Sequence, residues 1–248
     1  MRLAIETPDG TLAVELALPR RPMRLAELIP AFVEVDDRAS ALAVLRSSRE
    51  GRPVSCRRGC AACCRQLVAV SPPEAFHLAE VVEASPRREE LIARFAAART
   101  ALDASPVGRA LDAPASLMSE ARALEIALAY PRLRLDCPFL VRTGASDGAV
   151  EEVCSIYADR PAVCREYSVV TPAEHCTMPS PARPVRRVPV PFRLSEALAA
   201  VTAELLGGPV QSIPLPRALA WVEAHREEGR QNFAPDDLAR RVLAALAG

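Results

Sequence analysis

Four of the eight cysteines in this 248-residue chain fall within one short run, Cys56-Arg-Arg-Gly-Cys60-Ala-Ala-Cys63-Cys64. The other four, Cys137, Cys154, Cys164 and Cys176, follow downstream, so every cysteine lies between residues 56 and 176. With residues from Cys60 onward helical, Cys60, Cys63 and Cys64 stand at i, i+3 and i+4 on one face. Gly59 lets Cys56 swing over the same spot, since glycine takes backbone angles that other residues avoid. Thiols this dense are rare as core filler. Thiolates favour zinc, copper(I) and iron–sulfur clusters, so the run predicts a soft-metal site.

The redox compartment supports that choice. Met1-Arg-Leu-Ala-Ile-Glu has no long apolar stretch and runs into Pro8-Asp9-Gly10, so no secretory signal is expected. No uncharged apolar run reaches the roughly 18 residues of a membrane helix. A cytoplasmic protein of bacterial type is expected, without a membrane partner, where cysteines are poor candidates for structural disulfides. Formal net charge is zero, which removes the basic footprint of nucleic-acid binding. All basic residues are arginine; without lysine, Schiff-base catalysis and the usual phosphate-binding loop fall away. There is no GxSxG elbow, since Gly144-Ala-Ser-Asp-Gly148 reads as a hairpin turn, and no GxGxxG after a strand, against a hydrolase or a dinucleotide reading.

Half the residues are hydrophobic and few are aromatic, which predicts a folded, mainly α chain with a small β element (α+β). A single domain over 1–248 is expected. Residues 1–55 read as a β-hairpin (2–18) and a helix (25–49) with Pro30 at its start or at a kink. Residues 56–176 form the cysteine-bearing region. Within it, Ser71-Pro72-Pro73-Glu74 starts a helix with capping serine, early proline and returning glutamate. Further helices are expected over about 85–103 and 116–129, closed by Pro131. A second hairpin flanks Gly144–Gly148, and a short helix opens at Asp159-Arg160-Pro161 with the aspartate as cap. Residues 177–248 hold the end of a proline-rich loop (171–192, six prolines) and three helical patterns near 195–206, 215–227 and 236–246.

Charge compensation should accompany the thiols, because a buried thiolate centre is anionic. Arg57, Arg58, Arg65, Arg160 and Arg165 all lie within a few residues of a cysteine. Among the histidines, only His175, beside Cys176, is placed to add a ligand; His77 and His225 read as ordinary helix residues. Tyr157 and Tyr167 are expected to pack against the site, and Trp221 with Ala218 and Val222 to form helix core.

Three ordered pieces then resemble a known group. Cys56-Arg-Arg-Gly-Cys60-Ala-Ala-Cys63-Cys64, Cys137-Pro-Phe-Leu140 and Cys154-Ser-Ile-Tyr-Ala-Asp-Arg-Pro-Ala-Val-Cys164-Arg-Glu-Tyr167 are similar to the CxxCxxCC cysteine-cluster family, the YkgJ-like zinc- or iron-chelating proteins. One departure is the gap of three residues between Cys56 and Cys60, which puts Cys56 in a different place in the site or in a second one. The resemblance implies metal chelation by Cys56, Cys60, Cys63, Cys64, Cys137, Cys154, Cys164 and Cys176. The cofactor is an iron–sulfur cluster, such as 4Fe-4S, or zinc. A relative, the flagellin lysine N-methylases, carries a similar cluster, which makes a metal-dependent enzyme acting on a protein or peptide the alternative function. A thiol redox sensor using the adjacent Cys63-Cys64 pair is a further alternative. One centre or two of four ligands each are both compatible with eight cysteines.

Overall fold

A computed structural model describes residues 1–57, 59–113, 118–144 and 150–247. It is mainly helical with small two-stranded sheets. The chain begins with β1 (Arg2–Thr7) and β2 (Gly10–Glu15), an antiparallel hairpin registered Ile5 to Leu12 and Thr7 to Gly10. The two-residue period of Leu12, Val14 and Leu16 puts all three in the core. α1 (Leu28–Arg49) follows a 3-10 turn, with Pro30 in its first turn, where proline costs no hydrogen bond. Leu28, Phe32, Val35, Ala39 and Ala43 repeat at helical spacing and are buried.

Next come β3 (Ala69–Val70), α2 (Pro72–Glu83), α3 (Arg88–Asp103), α4 (Pro106–Leu111) and α5 (Glu120–Ala129). The Ser71 start is as expected, with prolines in the first turn and Glu74 reaching back to the Ser71 N–H at 2.7 Å. α4 was not anticipated, although Ser105 caps it and Pro106 opens it. α5 is capped by Ser119; the expected start at Ser116 lies outside the described residues. β4 (Leu140–Gly144) and β5 (Val150–Cys154) pair antiparallel and place Leu140 opposite Cys154. The connecting turn, 145–149, also lies outside the described residues.

α6 (Ala162–Arg165) corrects the expected cap: Pro161, not Asp159, is the residue before it. Its first free N–H, that of Ala162, is taken by Glu74 of α2, so a distant carboxylate replaces the local one. The proline-rich segment holds only a 3-10 turn at Ala173–Thr177 and isolated bridges such as Val169 with Arg187. α7 (Leu194–Leu206), β6 (Ile213–Pro214, paired with β3), α8 (Ala218–Ala224), α9 (Arg226–Gly229) and α10 (Pro235–Ala247) complete the chain.

Two large apolar clusters organise these elements. In one, the hairpin, α1, α7 and α10 meet through Leu16, Phe32, Val35, Leu198, Leu238 and Val242. In the other, Leu78, Val82, Leu91, Phe95, Phe139 and Ile156 pack together, with Phe95 edge-on to Phe139 at 5.2 Å. Cys137 and Cys154 lie against this second cluster, and Trp221 and Val222 pack against both. Burying each large side chain contributes about 1.5–3 kcal/mol. The cysteine region is thereby seated on a rigid apolar floor.

Glu74 clamps that floor to the cysteine region. It is buried, and its carboxylate accepts from Ser71 Oγ at 2.6 Å, Ala162 N at 2.8 Å and Ser195 Oγ at 2.6 Å, joining α2, α6 and α7. Glu74→Ala strands two buried N–H groups, those of Ser71 and Ala162, and two hydroxyls, and should lower stability by about 2–4 kcal/mol in urea denaturation. An unchanged midpoint would show that the clamp is not needed.

Candidate metal centre

Long-range backbone bonds bring the cysteine segments together. Cys137 N–H donates to Cys64 O at 2.8 Å, and Ser155 N–H to Phe139 O at 2.9 Å, which ties β5 to the Cys137 turn. On the other side, Ser55 N–H donates to Val169 O at 2.8 Å, while Val169 N–H donates to Cys56 Sγ at 3.4 Å. Gln66 Nε2 donates to Cys176 O at 2.7 Å.

The first run is not α-helical as expected. Cys60 N–H bonds Arg57 O, Cys64 N–H bonds Ala61 O and Gln66 N–H bonds Cys63 O, each at 3.0 Å, so the chain advances in i→i−3 turns. Only Ala62–Arg65 is regular enough to be a 3-10 helix, with Cys60 outside it. Gly59 supplies the bend at φ +82°; a Cβ there would stand 2.6 Å from Glu151 Oε1.

All eight cysteines are free thiols, and they act on one another electrostatically. Cys63 is the common member: its charge raises Cys56, Cys64, Cys137, Cys154, Cys164 and Cys176. Around it the others fall into two sets. Cys56 and Cys176 feel Cys60 as well, and Cys176 feels Cys56. Cys64, Cys137 and Cys164 feel Cys154, and Cys64 and Cys164 feel Cys137. Among the described residues, no three His, Cys, Asp or Glu side chains stand as a ready-made metal-holding group. The sulfurs share a neighbourhood and are not closed on one point.

Burial is the main force on most of these thiols. It pushes Cys137 up to about 12, Cys176 up to about 11, and Cys164 well above an ordinary thiol. Cys63 goes the other way because the Cys64 thiol donates to it, and Cys64 is held protonated by the same bond. Two local turns oppose burial: Phe139 N–H points at Cys137 Sγ, and Ile156 N–H at Cys154 Sγ. With Val169 N–H on Cys56, three backbone donors favour the thiolate form.

The arginines sort differently from their sequence positions. Arg160 lowers Cys56, Cys63 and Cys154 by its charge. It stacks over Tyr157 at 4.2 Å, and its buried Nε has no hydrogen-bond partner among the described residues. Arg165 is structural: it grips Asp37 at 2.9 Å, donates from Nε to Arg160 O at 2.9 Å and also reaches Ala158 O. Arg65 pairs with Glu152 and Asp136. Arg58 lies outside the described residues. Sequence reasoning missed Arg94 of α3, which acts on Cys137 by charge and donates to its carbonyl at 3.3 Å; nothing in the local sequence marks it.

The histidines take other partners. His175 Nδ1 meets Pro184 O at 3.0 Å, His77 Nε2 lies 3.6 Å from Asp159, and His225 stacks on Trp221 with ring centroids 4.0 Å apart. Tyr167 does pack at the site, its hydroxyl 3.9 Å from Cys176 Sγ, whereas Tyr157 is exposed.

No described helix is long and apolar enough to cross a membrane. No curated protein and no solved structure matches the chain. Residues 55–181, just over half of the chain, match the family model CxxCxxCC, described as "Putative zinc- or iron-chelating domain". That span holds every cysteine, and the chain belongs to the CxxCxxCC family.

Proposed function

We propose that the eight cysteines bind metal as two adjoining sets of four thiolates, Cys56, Cys60, Cys63 and Cys176 in one and Cys64, Cys137, Cys154 and Cys164 in the other, meeting at the Cys63-Cys64 step. The observation that carries this reading is the convergence of the cysteine segments through long-range bonds, Cys137 N–H to Cys64 O, Val169 N–H to Cys56 Sγ and Gln66 Nε2 to Cys176 O, within the span that matches the chelating family. The donor chemistry suits a thiophilic ion: the sulfurs are numerous, the histidines are engaged elsewhere, and the reducing cytoplasm keeps thiols available. The bare thiols are poor anions here because burial opposes their ionisation. A bound cation supplies the missing stabilisation, while Arg160, Arg94 and the three N–H···S donors offset the negative charge that remains.

Four sulfurs per centre leave no open position, which favours a structural or electron-transfer role over Lewis-acid catalysis. Iron held as a cluster and zinc held directly both fit such a set. Anaerobic purification with elemental analysis and a visible spectrum separates them. Iron with acid-labile sulfide and broad brown absorption selects clusters; colourless protein with about two zinc ions per chain selects structural zinc. Fully reduced protein that takes up neither metal overturns the reading.

A further inference from the structure

Tyr167, whose hydroxyl faces Cys176, also lines a separate cavity of about 320 Å³. Its apolar walls are Val163, Val188 and Val190. Its polar groups are Glu166 and the guanidinium-bearing Arg187 and Arg193. Arg187 comes from the proline-rich segment, is exposed, and sits 5.9 Å from the centre of the Tyr167 ring. Among the described residues it has no ion-pair partner. Arg193 is only loosely engaged, 3.6 Å from Glu166 and 3.7 Å from Glu196, both beyond hydrogen-bond length. Glu166 is buried and already occupied: it accepts the Leu194 N–H at 2.9 Å and faces Arg193. The cavity therefore holds two cationic forks against one carboxylate that has its own partners.

We infer that this cavity binds a small molecule with an anionic head group, a carboxylate or a phosphate, on a short apolar body. The head meets Arg187 and Arg193, whose planar donors match either oxyanion in bidentate fashion. The body lies along the valines and the face of Tyr167. The volume sits at the small end of ligand pockets, which limits the body to a few carbons. The site is independent of the metal reading, since none of its lining residues is a cysteine.

Calorimetric titration of the full chain with hexanoate, hexyl phosphate and hexanol tests the inference. Saturable binding of hexanoate, hexyl phosphate or both is expected, with hexanol at least tenfold weaker, and the stronger of the two anions identifies the head group. Arg187→Ala, at an exposed position that leaves the core intact, should weaken the anion at least tenfold, and Arg187→Lys should recover part of it. Equal binding of hexanol, unchanged affinity in Arg187→Ala, or no saturation with any of the three probes overturns it.

Discussion

Cys63→Ser should empty its own sulfur set and weaken the neighbouring one through Cys64, whereas Cys56→Ser and Cys137→Ser should each affect only one. Cys63 is the cysteine whose charge reaches the others on both sides, and the hydrogen bond from Cys64 already favours its thiolate form. A serine hydroxyl is a hard, weakly acidic donor and does not replace a thiolate on a soft metal. The consequence is large because the segments bearing the cysteines have little regular structure of their own: a 3-10 turn at Ala62–Arg65, a four-residue α6, and a 3-10 turn at Ala173–Thr177. Metal binding in such segments is folding free energy, on the order of 10 kcal/mol for structural thiolate sites. Metal analysis beside thermal melts of the three variants checks this. If Cys63→Ser retains as much metal and melts as high as Cys56→Ser, the two sets do not meet at Cys63.

Local signals made much of the fold legible. The alternation of Leu12, Val14 and Leu16, the Ser71-Pro72-Pro73-Glu74 start and the end of α5 at Ala129 each act within a few residues and appear where the sequence puts them, although a 3-10 turn carries on through Pro131 to Leu133. The same logic applied at Ser105-Pro106 reveals α4, but its six residues were too short for periodicity to declare. The Asp159 cap failed because tertiary contact won: Glu74 is 88 residues away and takes the Ala162 N–H. The cysteine pattern pointed to a shared thiol site but not to its arrangement. Their grouping depends on contacts such as Val169 N–H to Cys56 Sγ, across 113 residues, and on Arg94 approaching Cys137 from α3. Likewise, nearness in sequence made Arg65 and Arg165 look equivalent to Arg160. Only folding shows that the first two are held by Glu152 and Asp37, leaving Arg160 to act on the thiols.

One further group was invisible in the sequence because it stands beside an exposed acid in a helix. Asp36 of α1 is 1% exposed, and neither carboxylate oxygen has a hydrogen-bond partner among the described residues, while its neighbour Asp37 is open to Arg165. Burial first, then the negative charge of Glu166, push Asp36 up to about 8; Arg165 opposes the shift, and Asp37 and Glu74 add to it. In the unfolded chain an aspartate titrates near 4. Between about pH 4 and 8 the folded protein therefore keeps a proton that the unfolded chain releases. Stability from this group is complete below the unfolded value, falls as pH rises through that window and levels off above about 8. The total is on the order of 5 kcal/mol if the whole shift is expressed. Asp36→Asn keeps the shape but has no proton to give up. Urea midpoints should agree for the two proteins near pH 4 and separate progressively toward pH 8, with the asparagine variant the more stable. Comparing the proteins at each pH cancels the titration of the cysteines, which both share. A difference that stays constant from pH 5 to 8 would mean that Asp36 is ionised in the folded protein, with a neighbouring cation meeting its charge.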